Sequence, residues 1–343
     1  MQFLLKIIFL TFNVSLLFGG TPLEIEISIG AGYDDNAMRF SDNEISEAAQ
    51  EIEMLGGAKT FDSFISKWGA SASKEFLNNK KKYIKIKTTF SSSNYRDSPE
   101  KKYWSSGFDL SYHWGSYRNI KYSLRHLNEF YLRHYINRDV SVRDLEACFF
   151  SDRNQALSIT HRISKPLWIT ISTGYLQRYY ERPFTEFDLD IVYFRSRLNY
   201  KLRSIGSVSL QVNRGIADNI SYSSQIRPSS FDRSYETTEL YIPIKVNKNL
   251  PIVSEIGLSM KTELRKYEAE DPRDPLHSGR SHQDIKYDLW IKKKLTEDVG
   301  ISLKSRYRQR TTNSEYEWVN DLKTFKQFQF FFNIEWDLIY DKY

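Results

Sequence analysis

Residues 23–33 read LEIEISIGAGY, and their alternation decides the fold. Leu23, Ile25, Ile27, Ile29, Ala31 and Tyr33 fall on one side of an extended chain, with Glu24, Glu26, Ser28 and Gly30 on the other. A period of two marks a strand, because successive side chains of extended backbone point to opposite faces. The rhythm returns downstream. Ile84, Ile86, Thr88 and Phe90 oppose Lys85, Lys87 and Thr89, and Trp104, Phe108, Leu110, Tyr112 and Trp114 oppose Asp109, Ser111 and His113. Leu240, Ile242, Ile244 and Val246 oppose Glu239 and Lys245, and Ile256, Leu258, Met260 and Leu264 oppose Glu255, Lys261, Glu263 and Arg265. Val299, Ile301, Leu303 and Tyr307 oppose Lys304, Arg306, Arg308 and Arg310.

These runs alternate for roughly 10 to 17 residues. Strands of a soluble sandwich run about 5 to 6 residues, whereas strands that cross a bilayer need about 9 to 11. A lysine or arginine on the mid-bilayer lipid face costs about 2 to 4 kcal/mol, so the charged parity belongs in a lumen. A mean hydropathy of -0.55 fits this, since the two faces of such strands average out. The reading is all-β: a transmembrane antiparallel up-and-down β-barrel over residues 21–343.

Six short turns are expected near residues 78–81, 115–118, 164–166, 203–206, 247–251 and 296–298. Outer-membrane barrels have short periplasmic turns and longer external loops, so six turns plus two periplasmic ends make about fourteen strands. The longer loops, residues 35–60, 96–102, 137–150, 182–185, 215–234, 267–281 and 311–322, are rich in Asp, Ser, Asn, Gly and Pro. Residues 140–150 and 315–323 are the two stretches whose folding would change the count to twelve or sixteen. Residues 41–55 read as a short helix in the first external loop, with Ser41 and Glu44 as a capping box and Ile45, Ala48, Ile52 and Leu55 at helical spacing. Folding inward to constrict the lumen and lying on the surface both remain open for it.

Residues 1–20 read MQFLLKIIFLTFNVSLLFGG: Lys6, an apolar run from Ile7 to Phe18, then two small residues. This is signal-peptide anatomy, with cleavage expected near Gly19 or Gly20. The apolar run of about 12 residues is too short for the about 20 that a spanning helix needs. Export of a β-barrel places the protein in the outer membrane of a Gram-negative-type bacterium, among its lipids.

The last strand points Phe328, Phe330, Phe332, Ile334, Trp336, Leu338 and Tyr340 outward and Gln327, Gln329, Asn333, Glu335 and Asp337 inward. It resembles the C-terminal signal read by the barrel assembly machinery, although Asp341, Lys342 and Tyr343 follow the aromatic set. That resemblance implies the machinery as a partner. Tyr83, Tyr112, Trp114, Tyr175, Tyr193, Trp336 and Tyr340 are candidates for aromatic girdles. Trp168 and Trp290 fall on the lumen parity.

The 49 basic and 43 acidic residues are scattered, for a net charge of +6 without a basic block, and no nucleic acid is expected as a partner. Cys148 stands alone, which excludes an internal disulfide and a thiolate metal cluster. None of the six histidines has a ligand spacing or lies in a nucleophile motif, so neither a cofactor nor an enzyme is expected; His277 and His282 share a loop with Asp271 and Asp274. Lumen-lining candidates are Lys85, Lys87, Lys121, Arg125, Lys304, Arg306, Arg308 and Arg310 on a basic wall, with Glu335 and Asp337 among the acidic positions. Glu24, Glu26, Asp188 and Asp190 are read as further acidic lumen positions. Opposed walls of charge order water and select ions.

Gly32, Tyr33, Asp34, Asp35 and Asn36 end the first strand as GYDDN. The segment resembles the GYDDN or YDSN stretch of porin-like outer-membrane barrels and of barrels from exopolysaccharide operons, and the start of the barrel in surface-lipoprotein assembly modifiers. The resemblance covers barely ten residues and implies barrel architecture alone. Asp34, Asp35 and Asn36 also offer oxygen ligands of the kind calcium takes, beside the alternative of a turn. Two functions follow as expectations: a passive channel for small hydrophilic solutes, or an export or surface-assembly barrel working with a periplasmic partner.

Overall fold

The computed structural model describes residues 21–48, 52–79, 81–141, 143–203, 205–221, 231–247, 250 and 252–340. The expected export signal and cleavage site, residues 1–20, lie outside the described residues, as do residues 341–343.

Fourteen antiparallel strands close into one up-and-down barrel. They are β1 (Leu23–Asp34), β2 (Ser63–Asn79), β3 (Lys82–Tyr95), β4 (Tyr103–Gly115), β5 (Arg118–Ile136), β6 (Leu145–Arg162) and β7 (Leu167–Tyr180) in the first half. The second half is β8 (Leu189–Leu202), β9 (Gly206–Asn219), β10 (Tyr235–Val246), β11 (Glu255–Tyr267), β12 (Ser281–Lys294), β13 (Val299–Asn313) and β14 (Phe325–Tyr340). Each strand pairs with its sequence neighbours, and β1 closes on β14 from Leu23 opposite Tyr340 to Asp34 opposite Gln329. Closure removes both sheet edges. The fourteen strands are those expected from the sequence, and the strand ends meet at the six expected short connections, of which residues 80, 204, 248, 249 and 251 lie outside the described residues.

One parity of every strand faces outward and is apolar. Ile27, Ile29, Trp68, Leu110, Val192, Phe194, Leu210, Val212, Leu258, Leu289, Leu303, Phe328 and Phe330 stand exposed around the circumference. An exposed apolar surface of that extent is a membrane-contacting belt.

Two departures in length leave the count intact. Residues 145–150, read as loop, extend β6 and pair with β5 across bulges at Leu127/Phe130 and Tyr131/His134, so the β5–β6 hairpin is longer than its neighbours. Residues 315–323 do not add a strand: Glu317–Lys323 is a short helix, here α2, with α1 being Asp42–Ala48 in the first loop. The capping box of α1 forms as read, the Glu44 amide donating to Ser41 Oγ at 3.1 Å and the Ser41 amide to Glu44 Oε2 at 2.9 Å. A single 3-10 turn, Ile52–Leu55, follows it.

Three side chains sit on the other side of the wall from their expected one, and a fourth lies in a loop. Tyr83 shares the parity of Lys85 and stacks on His113 at 4.3 Å, and Tyr193 is buried at 8% exposure with its hydroxyl donating to Asn154 Oδ1 at 3.0 Å. Neither joins an outer girdle. Asp190 shares the parity of exposed Val192 and Phe194 and accepts the Tyr175 hydroxyl at 2.6 Å, so it is not a lumen acid. Asp188 precedes β8 and accepts the Tyr180 amide in a loop. Aromatic or acidic character alone carries no face; parity against a neighbour of known side does.

Candidate functional site in the lumen

The inner parity is lined with charge, and register determines which charges meet. On β12 and β13 the cross-strand pairs Asp284 with Arg310, Lys286 with Arg308 and Asp288 with Arg306 set two acids and a lysine beside a row of arginines. Arg308 and Arg310 both reach Asp284, at 2.5 and 3.0 Å, and Arg306 and Lys304 both reach Asp288, at 2.7 and 3.5 Å. Further round the wall Lys85 of β3 bonds Glu24 of β1 at 2.9 Å, with Lys87 two positions on along the same parity of β3. Arg125 holds Asp109 at 2.7 Å while Lys121 occupies the same parity of β5. Glu335 meets Lys292 at 3.4 Å, and Asp337 lies one inner position further along β14.

Exposure divides this wall along the barrel axis. Toward the short turns and the middle, side chains remain open to water: Glu24 is 56% exposed, Arg125 42%, Lys245 45% and Lys292 45%. Toward the long loops they are covered, Arg308 at 9% and Asp284 at 2%. The first external loop lies over this end of the barrel, its Arg39 sharing a small cavity with Arg310. It turns over the mouth, α1 touching α2, with Met38, Phe40, Ala48 and Leu55 packed on Tyr131 of the extended β5–β6 hairpin. Glu44 of α1 reaches Arg133 of β5 at 2.5 Å, and the Arg133 guanidinium lies over the Phe40 ring. The helix expected over 41–55 is thus a shorter one, Asp42–Ala48, packed inward on the mouth rather than lying on the surface, with residues 49–51 outside the described residues.

A cavity of about 550 Å³ remains at the mouth. Among the described residues its arginines and lysines outnumber its carboxylates two to one: Arg133, Arg138, Arg178, Arg233, Arg265, Arg280, Arg310 and Lys323 against Glu44, Glu47, Glu186 and Asp274. Tyr135, Tyr180, Phe184, Tyr235, Tyr267 and Trp318 supply aromatic surface. Such a site holds a solute that carries negative charge and presents a flat or apolar face.

His277 and His282 both line this cavity. His277 Nδ1 sits 2.7 Å from Asp274 Oδ2, and burial, reinforced by nearby Arg280 and Arg233, pulls its pKa down to about 4 against the pull of Asp274. Its ring is neutral at ordinary pH. Asp271 instead bonds Arg273 at 2.7 Å. Among the described residues no serine hydroxyl or cysteine thiol joins the Asp274–His277 pair in a hydrogen bond.

The GYDDN segment closes the barrel seam. Gly32 gives room to Phe331, whose ring lies 2.3 Å from where a Cβ would sit. Asp34, fully buried, accepts the Gln327 and Gln329 side-chain amides, at 2.8 and 2.7 Å, and Asp35 accepts the Phe328 amide at 2.7 Å. Asn36 donates to the Phe40 and Lys326 carbonyls. Among the described residues no three acidic, histidine or cysteine side chains group as metal ligands.

The sequence reading did not single out Asp284, Asp288, Arg133 or Lys101, and read Glu44 as a capping residue alone. The β12 acids had a signal, the alternation His282, Asp284, Lys286, Asp288 at period two. The others come together through loop packing and had none.

No family model matches the chain, and no curated protein matches it. Similar solved structures include outer-membrane expressed OmpT of Vibrio cholerae, at 9% identity over 93% of this chain and 98% of that one, TM-score 0.48. The outer membrane channel DcaP of Acinetobacter baumannii gives 8% identity over 94% and 98%, TM-score 0.47, and an anion-selective porin from Comamonas acidovorans 8% over 93% and 99%, TM-score 0.40. The likeness is one of barrel architecture.

Proposed function

We propose that the protein is a passive channel in a bacterial outer membrane, admitting small hydrophilic solutes and favouring anions. The observation that carries this reading is the water-exposed charge on the inner parity, from Glu24 and Lys292 near the short turns up to Arg125. A barrel whose interior served only as packing would bury that parity in paired or apolar contacts. The apolar belt supplies the membrane contact, and its lipids are the surrounding solvent. The first loop narrows the mouth and leaves the cationic cavity as the path that an entering solute meets.

Charge-lined pores select by field strength and sign. With bases in excess at the mouth, anions gain and cations lose on entry. Recording purified protein in a planar bilayer under a potassium chloride gradient tests this: discrete conductance steps with a reversal potential on the chloride side are expected, and an absence of steps above background refutes the channel. The reading of a surface-assembly barrel rests on the GYDDN segment, whose contacts here hold the β1–β14 seam and the start of the first loop.

A further inference from the structure

A second cavity, of about 80 Å³, adjoins the mouth cavity and shares Leu132, Arg133, Tyr135, Arg310 and Lys323 with it. Arg39 and Lys101 complete its charge, with Met38 and Phe325 as apolar lining. Five cations therefore face one small space, and among its described lining residues there is no carboxylate. They arrive from five separate places: the first loop, the 3-10 turn Pro99–Lys101, β5, β13 and the end of α2.

Nearby carboxylates are already engaged. Glu44 holds Arg133, Asp284 holds Arg308 and Arg310, and Asp34 is taken by Gln327 and Gln329. Among the described residues, Arg39, Lys101 and Lys323 make no ion pair, and Arg39 Nε is buried without a hydrogen-bond partner. Lys101 is only 3% exposed, its ammonium lying over the Tyr95 and Phe130 rings at 5.8 and 5.3 Å. Burying several like charges together is unfavourable unless an anion joins them.

We propose that the small cavity binds a tetrahedral oxyanion, phosphate or sulfate, entering free or as the end group of an organic solute whose body lies in the mouth cavity. The volume admits on the order of five heavy atoms. Four acceptor oxygens on such a group match the five donors better than the two oxygens of a carboxylate, and arginine forks favour that geometry. The site deepens the channel reading and rests on it only for the ligand's route of entry.

Equilibrium dialysis of folded, detergent-solubilised protein against radiolabelled inorganic phosphate tests the site without requiring conduction. Saturable binding is expected, displaced by unlabelled sulfate and by glucose 6-phosphate. Arg39→Gln and Lys101→Met should each weaken it at least tenfold while the heat-modifiable gel shift confirms folding, and Lys165→Gln on an exposed short turn should not. Tighter displacement by glucose 6-phosphate than by phosphate assigns the mouth cavity to the body of the solute, and equal displacement assigns the site to the free anion. Absence of saturable phosphate binding to the unsubstituted protein overturns the proposal, as does binding that survives both substitutions. If binding fails while conductance steps persist, the oxyanion site is wrong and the channel stands; saturable binding without steps upholds the oxyanion site and refutes the channel.

Discussion

Arg133 reaches out of β5 to Glu44 in the helix that crosses the mouth, with the two side chains 13% and 6% exposed. Removing one partner of such a pair leaves the other charged and buried, a loss of about 3 kcal/mol. Glu44→Gln should therefore release the first loop, lowering the temperature at which the heat-modifiable gel shift occurs and raising single-channel conductance; an unchanged conductance would mean the loop is held by its apolar contacts alone. Lys101 and Lys323 report on the same region. Burial, aided by Arg39 beside Lys101 and by Arg133 beside Lys323, lowers both amines to about 7 against the opposing pull of Asp34 and Glu44. The folded protein thus holds fewer protons on them than the unfolded chain between pH 7 and the ordinary lysine value of 10.5, so stability from these groups falls as pH drops through that window and levels off below 7. As the amines charge, the mouth becomes more positive, and anion preference in reversal-potential recordings should strengthen from pH 8 to pH 6. A preference that is flat across that range would show that neither amine titrates there.

Among the elements, the strands were legible in the sequence and the loops largely were not. Alternation in β13 places Lys304, Arg306, Arg308 and Arg310 on one side because strand geometry is local and its period is fixed. Trp290 on the lumen parity of β12 is explained by its opposite neighbour: Gly257 leaves space for the indole, where a Cβ would lie 1.9 Å from the ring, and the indole N–H donates to Glu255 at 2.7 Å. Gly257→Val should accordingly slow or prevent barrel closure, read as loss of the compact form on unheated gels. Tyr83 and Tyr193 escaped because aromatic residues suit both faces of a barrel wall. The inward packing of Asp42–Ala48 escaped for a different reason. Its partners, Tyr131 and Arg133, are distant in sequence, and the capping box that marks the helix says nothing about where the helix docks. Replacing residues 41–55 with a short Gly-Ser linker should increase conductance severalfold while leaving the barrel heat-modifiable, and unchanged conductance would place the narrowest point elsewhere.

At the scale of the molecule, two faces of one sheet are bent into a cylinder: an apolar belt outside, and inside a charged wall whose openness to water decreases from the short turns to the mouth. The barrel follows from the alternation alone; the cationic cavities depend on several loops meeting over it, which no single segment encodes. The claim joining both scales is that the charged parity lines the conducting path. Single cysteines at Lys304, Ser305, Arg306 and Tyr307 test it directly, since the natural Cys148 is buried. In planar bilayers, a membrane-impermeant thiol reagent should reduce the current through the Lys304→Cys and Arg306→Cys channels and leave the Ser305→Cys and Tyr307→Cys channels unaffected; equal effects at all four positions, or the reverse pattern, would contradict it.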